Sequence, residues 1–244
     1  MMAALGELTA RIAHEIKNPL GIIKGSAQIL VDETESPEVK IEVGGYIIEE
    51  VNRLNNKVLD LLNYARPNPP SLQEVDINEV LEERIQFWES QKAGQHKIKI
   101  IRKFSSNIPA LLLDKEQLRQ VILNMIINAC EAMPEGGRIK ITTNLVCRKD
   151  TNRSGEKGDR ENANSFLDNG YVEIKFEDTG IGIAKKDLHK IFDPFFTTKK
   201  NGTGIGLSTV SRILENHKGM IQVESTDGKG TKFVVLFPLK QALS

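Results

Sequence analysis

The chain has 244 residues and equal numbers, 33 each, of basic and acidic side chains, which leaves no electrostatic case for a nucleic-acid or acidic-membrane partner. Its two cysteines, Cys130 and Cys147, lack metal-ligand spacing, and no stretch reads as a signal peptide or a membrane span. The length suits one large domain or two small ones in a cytoplasmic setting. The chain opens directly inside a helical pattern, which fits a core taken from a longer, membrane-anchored protein.

The first pattern places apolar residues at Leu5, Leu8, Ile12, Ile16, Leu20, Ile23, Ala27 and Leu30, in steps of three and four that sum to heptads. At about 100° per residue, His14 lies about 200° round from Ile12 and points away from this stripe. Asn18 shares its face one turn later, and Glu15 flanks it. A lone helical histidine is ordinarily a satisfied surface or core residue. The surroundings here are unusual. Pro19 interrupts the helix one turn after the imidazole, at a cost of about 3 kcal/mol in an ordinary helix. Gly21 and Gly25 remove side chains from the same outer face, at about 1 kcal/mol each relative to Ala. A kinked helix with room for an approaching partner is the expectation.

After a polar turn at Asp32 to Ser36, Ser36-Pro37-Glu38 supplies an N-cap, a proline at the first helical position and an acidic first turn. The second stripe runs Val43, Ile47, Val51, Leu54, Val58, Leu61, Ala65. Two such helices form an antiparallel hairpin whose long apolar face is best covered by a second copy, giving a dimeric four-helix bundle. Arg66-Pro67-Asn68-Pro69-Pro70 forbids helix and marks the boundary. The organisation expected is therefore residues 1–66 as a dimerisation hairpin, 67–75 as linker, and 76–244 as a second domain.

In that second domain Asp76-x-x-Glu79 opens a helix with a capping box, Lys97 to Phe104 alternates like a strand, and Asp114-x-x-Gln117 caps a helix burying Leu118, Val121, Ile122, Met125, Ile126 and Ala129. Ile139 to Val146 and Tyr171 to Glu177 read as strands either side of Arg148 to Gly170, a polar stretch read as a flexible connection or insertion. Leu207 to His217 reads as a helix ended by Gly219, with strands at Met220 to Val223 and Lys232 to Phe237. His96 is placed in a turn, His189 on a polar helix, and His217 near a helix C-terminus with favourable dipole interaction. The mixture is α+β overall: a helical hairpin followed by an α/β sandwich.

Asn124 and Asn128 project from one face of the Asp114 helix, where each costs about half a kcal/mol against Ala. Capping or surface decoration would explain them. As Mg²⁺ ligands their amide oxygens are hard donors that add no charge beside a triphosphate. Asp178-Thr179-Gly180-Ile181-Gly182 follows a strand; its glycines allow a tight turn against a flat ligand, and its carboxylate could accept from an adenine amino group, although a surface turn fits equally. Gly202-Thr203-Gly204-Ile205-Gly206-Leu207 runs into a helix and offers free N–H groups to phosphate, without the features of a dinucleotide fingerprint or a P-loop.

Together these segments resemble the boxes of bacterial two-component sensor histidine kinases. The segment from His14 resembles the H box, that from Asn124 the N box, and Asp178 to Gly182 and Gly202 to Gly206 the two glycine boxes. Ile191 to Lys199 resembles the F box, and all five stand in family order over nearly the whole chain. The resemblance implies a helical-hairpin dimerisation domain and an ATP-binding domain of the histidine kinase/gyrase/chaperone type. It further implies that His14 is the phosphoacceptor, that Glu15 assists it, and that Asn18 belongs to an E-x-x-N pattern that positions water to dephosphorylate the regulator. Asn128 is then the principal Mg²⁺ ligand, with Asn124 helping to hold metal or phosphate. Asp178 selects adenine, Gly180 and Gly182 shape its pocket, and Gly202, Gly204, Gly206 and Leu207 belong to a lid over the phosphates of ATP. Phe195 and Phe196 serve as core packing or ligand contact.

Two positions depart from the pattern. Glu131 stands where many relatives carry a basic residue, and Thr197 stands where many carry arginine. Cationic contacts to phosphate are therefore expected from Lys199 or Lys200. The implied function is Mg-ATP-dependent autophosphorylation and transfer to an aspartate of a response regulator receiver domain, by a homodimer that contacts neither nucleic acid nor membrane through this segment. The rivals are an ATPase of the gyrase, chaperone or mismatch-repair kind, which lacks the H-E-x-x-N-P hairpin, and a non-enzymatic ATP-binding scaffold, which intact His14, Glu15 and Asn128 disfavour.

Overall fold

The computed structural model describes residues 2–32, 34–65, 69–91, 97–147, 170–199 and 202–239, with side-chain surroundings given except at residues 2–15, 53, 56–65, 91 and 147. The chain divides into two units, Met1–Pro67 and Asn68–Ser244. The polar insertion from 148 to 169, His96 and Lys200 lie outside the described residues.

The first unit is a helical hairpin of α1, Met2–Leu30, and α2, Pro37–Ala65. The turn between them is built as the composition suggests: the Asp32 carboxylate accepts from the Thr34 amide at 2.9 Å and hydroxyl at 2.7 Å, and the Ser36 hydroxyl accepts from the Val39 amide at 3.4 Å at the start of α2. Helix α1 runs through Pro19 as one helix, with the proline ring buried. A Cβ added at Gly21 or Gly25 would meet nothing within 4 Å, so these positions are open in the single chain. The apolar stripe divides. Val43 is buried within the hairpin, whereas Leu20 and Val51 of the stripes remain exposed, as do Ile41 and Ile48 outside them.

The second unit is an α/β sandwich. Its elements are β1 (Gln73–Val75), α3 (Ile77–Gln91), β2 (Ile98–Phe104), β3 (Leu111–Leu113), α4 (Lys115–Glu131), β4 (Gly137–Cys147), β5 (Gly170–Asp178), α5 (Gly206–Asn216), β6 (Met220–Thr226) and β7 (Gly230–Pro238). The main sheet has the order β2-β4-β5-β7-β6, with β2 parallel to β4 and every other neighbour antiparallel. Alternation puts one face inward: Ile141, Phe176 and Phe233 form one cross-strand row, and Ile174 and Val235 pair in the next. The helices cover that face, and all six residues expected on the inner side of α4, from Leu118 to Ala129, are buried.

The sequence expectations need correction in three places. Residues 73–75, assigned to the linker, form β1 and pair with β3, because alternate leucines of Leu111–Leu113 are buried against the unit and offer an edge. His189 lies in consecutive turns rather than on a helix. Helix α5 closes with Lys218 in the left-handed conformation at φ 53°, not with Gly219. Gly219 is needed for a different reason: a Cβ there would sit 2.6 Å from the carbonyl oxygen of Leu236.

Candidate active site

Helix α4 is the floor of the site, and its start is strongly anchored. Asp114 Oδ1 accepts from the amides of Glu116 and Gln117, both at 3.0 Å, while Oδ2 accepts from the Ser71 amide at 2.8 Å. The Asp114 amide in turn donates to His217 Nε2 at 3.0 Å. His217 is buried, and its Nδ1 lies 2.8 Å from the carbonyl oxygen of Ile213, so the neutral ring donates from Nδ1 and accepts at Nε2. The helix-dipole account of His217 therefore gives way to a buried bridge between α5 and the start of α4. No sequence signal announces it, since the partners are 103 residues apart.

From this floor Asn124 and Asn128, four residues apart, present their amides on one face, as the 3.6-residue repeat demands. Asn124 Nδ2 donates to the Gly206 carbonyl at 3.4 Å, which joins α4 to the first residue of α5. Asn128 Oδ1 accepts from Lys199 Nζ at 3.2 Å, and the same ammonium pairs with Glu131 Oε2 at 2.5 Å. The structure thus brings Lys199 of the segment after β5 onto the α4 face. An amide oxygen already turned toward a positive charge is chemically suited to a hard cation such as Mg²⁺, which takes oxygen ligands. Among the described residues no cluster of three or more His, Cys, Asp or Glu side chains offers an alternative metal site.

Asp178 ends β5. Its Oδ1 accepts from the Gly180 amide at 2.8 Å and the Thr231 amide at 3.2 Å. Burial pushes its carboxyl above the usual carboxylate range, against the lowering effect of these two amides and of the nearby Lys199 charge. Gly180 is there because a Cβ would sit 2.6 Å from the Ala132 carbonyl oxygen, where the turn crosses the end of α4; the Ile181 amide bonds that same carbonyl at 3.0 Å. Gly182, at φ +72°, would drive a Cβ into the Thr226 carbonyl.

The second glycine segment is tied back by the Phe195 amide, which donates to the Gly204 carbonyl at 2.9 Å. Gly204 takes φ +67° with its α-carbon against the Phe195 backbone, and Phe195 itself is buried at φ 65°. Phe196 packs against the main core, so both aromatics have a packing role. Thr197 Oγ1 accepts from the Lys199 amide at 3.1 Å and lies where any side chain on Gly202 would go. The threonine that replaces an expected arginine thus shapes the turn carrying the lysine. Gly206 and Leu207 begin α5, whose N-cap residue Ile205 gives its first amides no side-chain acceptor.

In the first unit His14 and Glu15 lie in α1, and the exposed Asn18 follows one turn later; the surroundings of the first two are outside the described side chains. No described helix is long and apolar enough to cross a membrane.

Comparison with known proteins accounts for this assembly. Residues 113–241 match the family described as histidine kinase-, DNA gyrase B-, and HSP90-like ATPase, and residues 4–70 match the His Kinase A (phospho-acceptor) domain. The chain is 36% identical over 239 residues to the signal transduction histidine-protein kinase AtoS of Escherichia coli K12, covering 98% of this chain and 35% of AtoS. It is 35% identical over 238 residues to the sensor histidine kinase ZraS of Escherichia coli O157:H7, covering 98% of this chain and 47% of ZraS. The chain therefore spans less than half the length of these relatives. Among solved structures, histidine kinase ThkA in complex with the response regulator protein TrrA superposes with a TM-score of 0.75 at 27% identity, over 98% of this chain and 63% of that one. Full-length ShkA in complex with AMPPNP gives 0.64 at 27% identity, over 95% and 45%. With an ATPase domain matched over more than half its length and a phospho-acceptor domain ahead of it, the chain belongs to the histidine kinase-, DNA gyrase B- and HSP90-like ATPase family and has the domain order of a sensor histidine kinase core.

Proposed function

We propose that this chain is a protein-histidine autokinase that uses Mg-ATP to phosphorylate His14 and passes the phosphoryl group to an aspartate of a response regulator receiver domain. The observation that carries this reading is the union, in one chain, of a phospho-acceptor match containing His14 with an ATPase-family match in which Asn124 bonds Gly206, Asn128 bonds Lys199 and Asp178 bonds Gly180. AMPPNP bound to ShkA and TrrA bound to ThkA support an ATP-type ligand and a regulator partner.

In this mechanism Asp178 accepts from the adenine amino group, and Gly180 and Gly182 let the base lie against backbone. The free amides at Gly206 and Leu207, with Gly202 and Gly204 in the preceding turn, hold phosphate oxygens. Asn128 is the metal ligand and Asn124 supports it; Mg²⁺, when bound, neutralises charge on the triphosphate. An imidazole nitrogen of His14 forms the P–N bond as the β,γ-bridging P–O bond breaks, ADP leaves, and Glu15 takes the ring proton. Exposed Asn18 orients a water against the phosphorylated regulator, giving the same helix face a phosphatase role. The exposed apolar residues Leu20, Ile41, Ile48 and Val51 are covered in a homodimer formed through the hairpin. This segment works in the cytoplasm.

Incubation with γ-labelled ATP and Mg²⁺ should give an acid-labile, base-stable phosphoprotein, and His14→Gln should abolish it. Label retained by the variant would overturn the assignment.

A further inference from the structure

The Lys199 ammonium lies between two acceptors on α4, 3.2 Å from Asn128 Oδ1 and 2.5 Å from Glu131 Oε2. It is not there by side-chain reach alone. The Thr197 hydroxyl accepts from the Lys199 amide at 3.1 Å, and the Phe195 amide and Gly204 carbonyl bond at 2.9 Å, so the backbone carrying the lysine is fixed at this place. The ion pair is half-exposed, at 37% for the lysine and 48% for the glutamate, so by itself it contributes little to folding. Its placement matters more than its strength. The lysine holds the one amide oxygen of Asn128, and a second cation on that oxygen would be repelled by the first.

We propose that Lys199 is a stand-in for the metal at Asn128: ammonium and divalent cation are mutually exclusive partners of that oxygen, and Glu131 is the positioning residue that keeps the lysine at the site. This rests on Asn128 being the metal ligand. When metal enters, Lys199 gives up Asn128 and stays paired with Glu131. When metal is absent, the lysine supplies the positive charge that the triphosphate needs. Glu131, which breaks the expected basic pattern, and Thr197, which replaces an expected arginine, then belong to one arrangement: the cation sits on the segment after β5 and its counter-charge on α4.

The test measures binding of a fluorescent ATP analogue to the full chain, by anisotropy, in EDTA and across a Mg²⁺ titration. Lys199→Met should weaken binding in EDTA by roughly three- to fivefold, the scale of a half-exposed charge contact, and lower the half-saturating Mg²⁺ concentration by a similar factor. Glu131→Gln should also lower the half-saturating Mg²⁺ concentration, because the lysine is no longer kept on Asn128, while metal-free binding is not weakened, because the ammonium remains. Equal weakening by Lys199→Met with and without Mg²⁺ would reduce the lysine to an ordinary phosphate contact and overturn the proposal, as would no change in either condition. Asn128→Asp serves as the separate check. If it leaves the Mg²⁺ dependence untouched, the metal reading of Asn128 itself fails; if it alters that dependence while Lys199→Met does not, only the exchange between lysine and metal fails.

Discussion

The two units treat their apolar residues in opposite ways. In the α/β unit, Ile126, Ile141, Ile174 and Phe237 are buried almost completely, and three helices close over one face of a five-stranded sheet. In the hairpin, Val43 is the one hydrophobic side chain buried among those described besides the proline ring, whereas Ile41 is 77% exposed and Ile48 65%. Two helices can bury only the strip between them. The ATP-binding unit therefore carries its own stability, and the phospho-acceptor unit takes part of its stability from whatever covers its outer apolar surface.

Substitutions in the two units should separate these behaviours. The largest effect is expected from Ile126→Ala, which empties a fully buried place between α4 and the sheet and should cost about 2–5 kcal/mol, read as a drop in the urea midpoint of the α/β unit at any protein concentration. His217→Ala comes next. It removes the acceptor for the Asp114 amide and the donor to Ile213, together with an edge contact to Phe237 at 6.1 Å between centroids, and should cost about 2–3 kcal/mol in the same transition. An unchanged midpoint would show that water replaces the bridge without penalty. Ile48→Asp should cost about 1–2 kcal/mol per chain, in proportion to the apolar area a partner copy would have covered. Here the signature is different: the hairpin transition should lose its dependence on protein concentration, and sedimentation should show monomer. If both units of the wild type melted independently of concentration, the hairpin would be as self-sufficient as the α/β unit.

The smallest effect concerns Asp178. Its folded-state pKa lies above that of an unfolded carboxylate, so the native state holds the proton more tightly. Stability should therefore fall as pH rises from the usual carboxylate range through the raised value, and return on acidification across the same window. Asp178→Asn removes that cost and should raise the melting temperature by about 1–2 °C at neutral pH. Binding of the ATP analogue should weaken about tenfold or more, since a charged acceptor is lost. Stability that rises and affinity that falls in one variant would mark Asp178 as kept for ligand rather than for folding.

Much of this was legible beforehand where the signal is local. The Asp76 and Asp114 caps, the six buried residues of α4 and the strands from Gly137 and Gly170 follow from capping chemistry and periodicity. The glycines at 180, 182 and 204 were legible as tight turns, and each meets the chain's own backbone, which would reject a Cβ. What escaped depends on distant partners. Three residues, Gln73–Val75, are too few to show alternation, and only Leu111–Leu113 makes them a strand. The left-handed Lys218 is closed locally, its amide on the Glu215 carbonyl at 3.0 Å and the Gly219 amide on that of Leu214 at 2.7 Å, whereas Gly219 answers to the distant Leu236 carbonyl. Glu131 looked like a missing cation until Lys199 was placed beside it.

The register of β4 and β5 has a practical consequence. Ile139 pairs with Asp178 at one end of the ribbon and Cys147 with Gly170 at the other, so the ends of the two strands that join the 148–169 segment stand roughly 25 Å along an extended strand from the Asp178 carboxylate. Sequence can be added, shortened or exchanged between those ends without altering a residue of the nucleotide pocket. That makes the connection a natural place to graft a fluorescent reporter or an affinity handle.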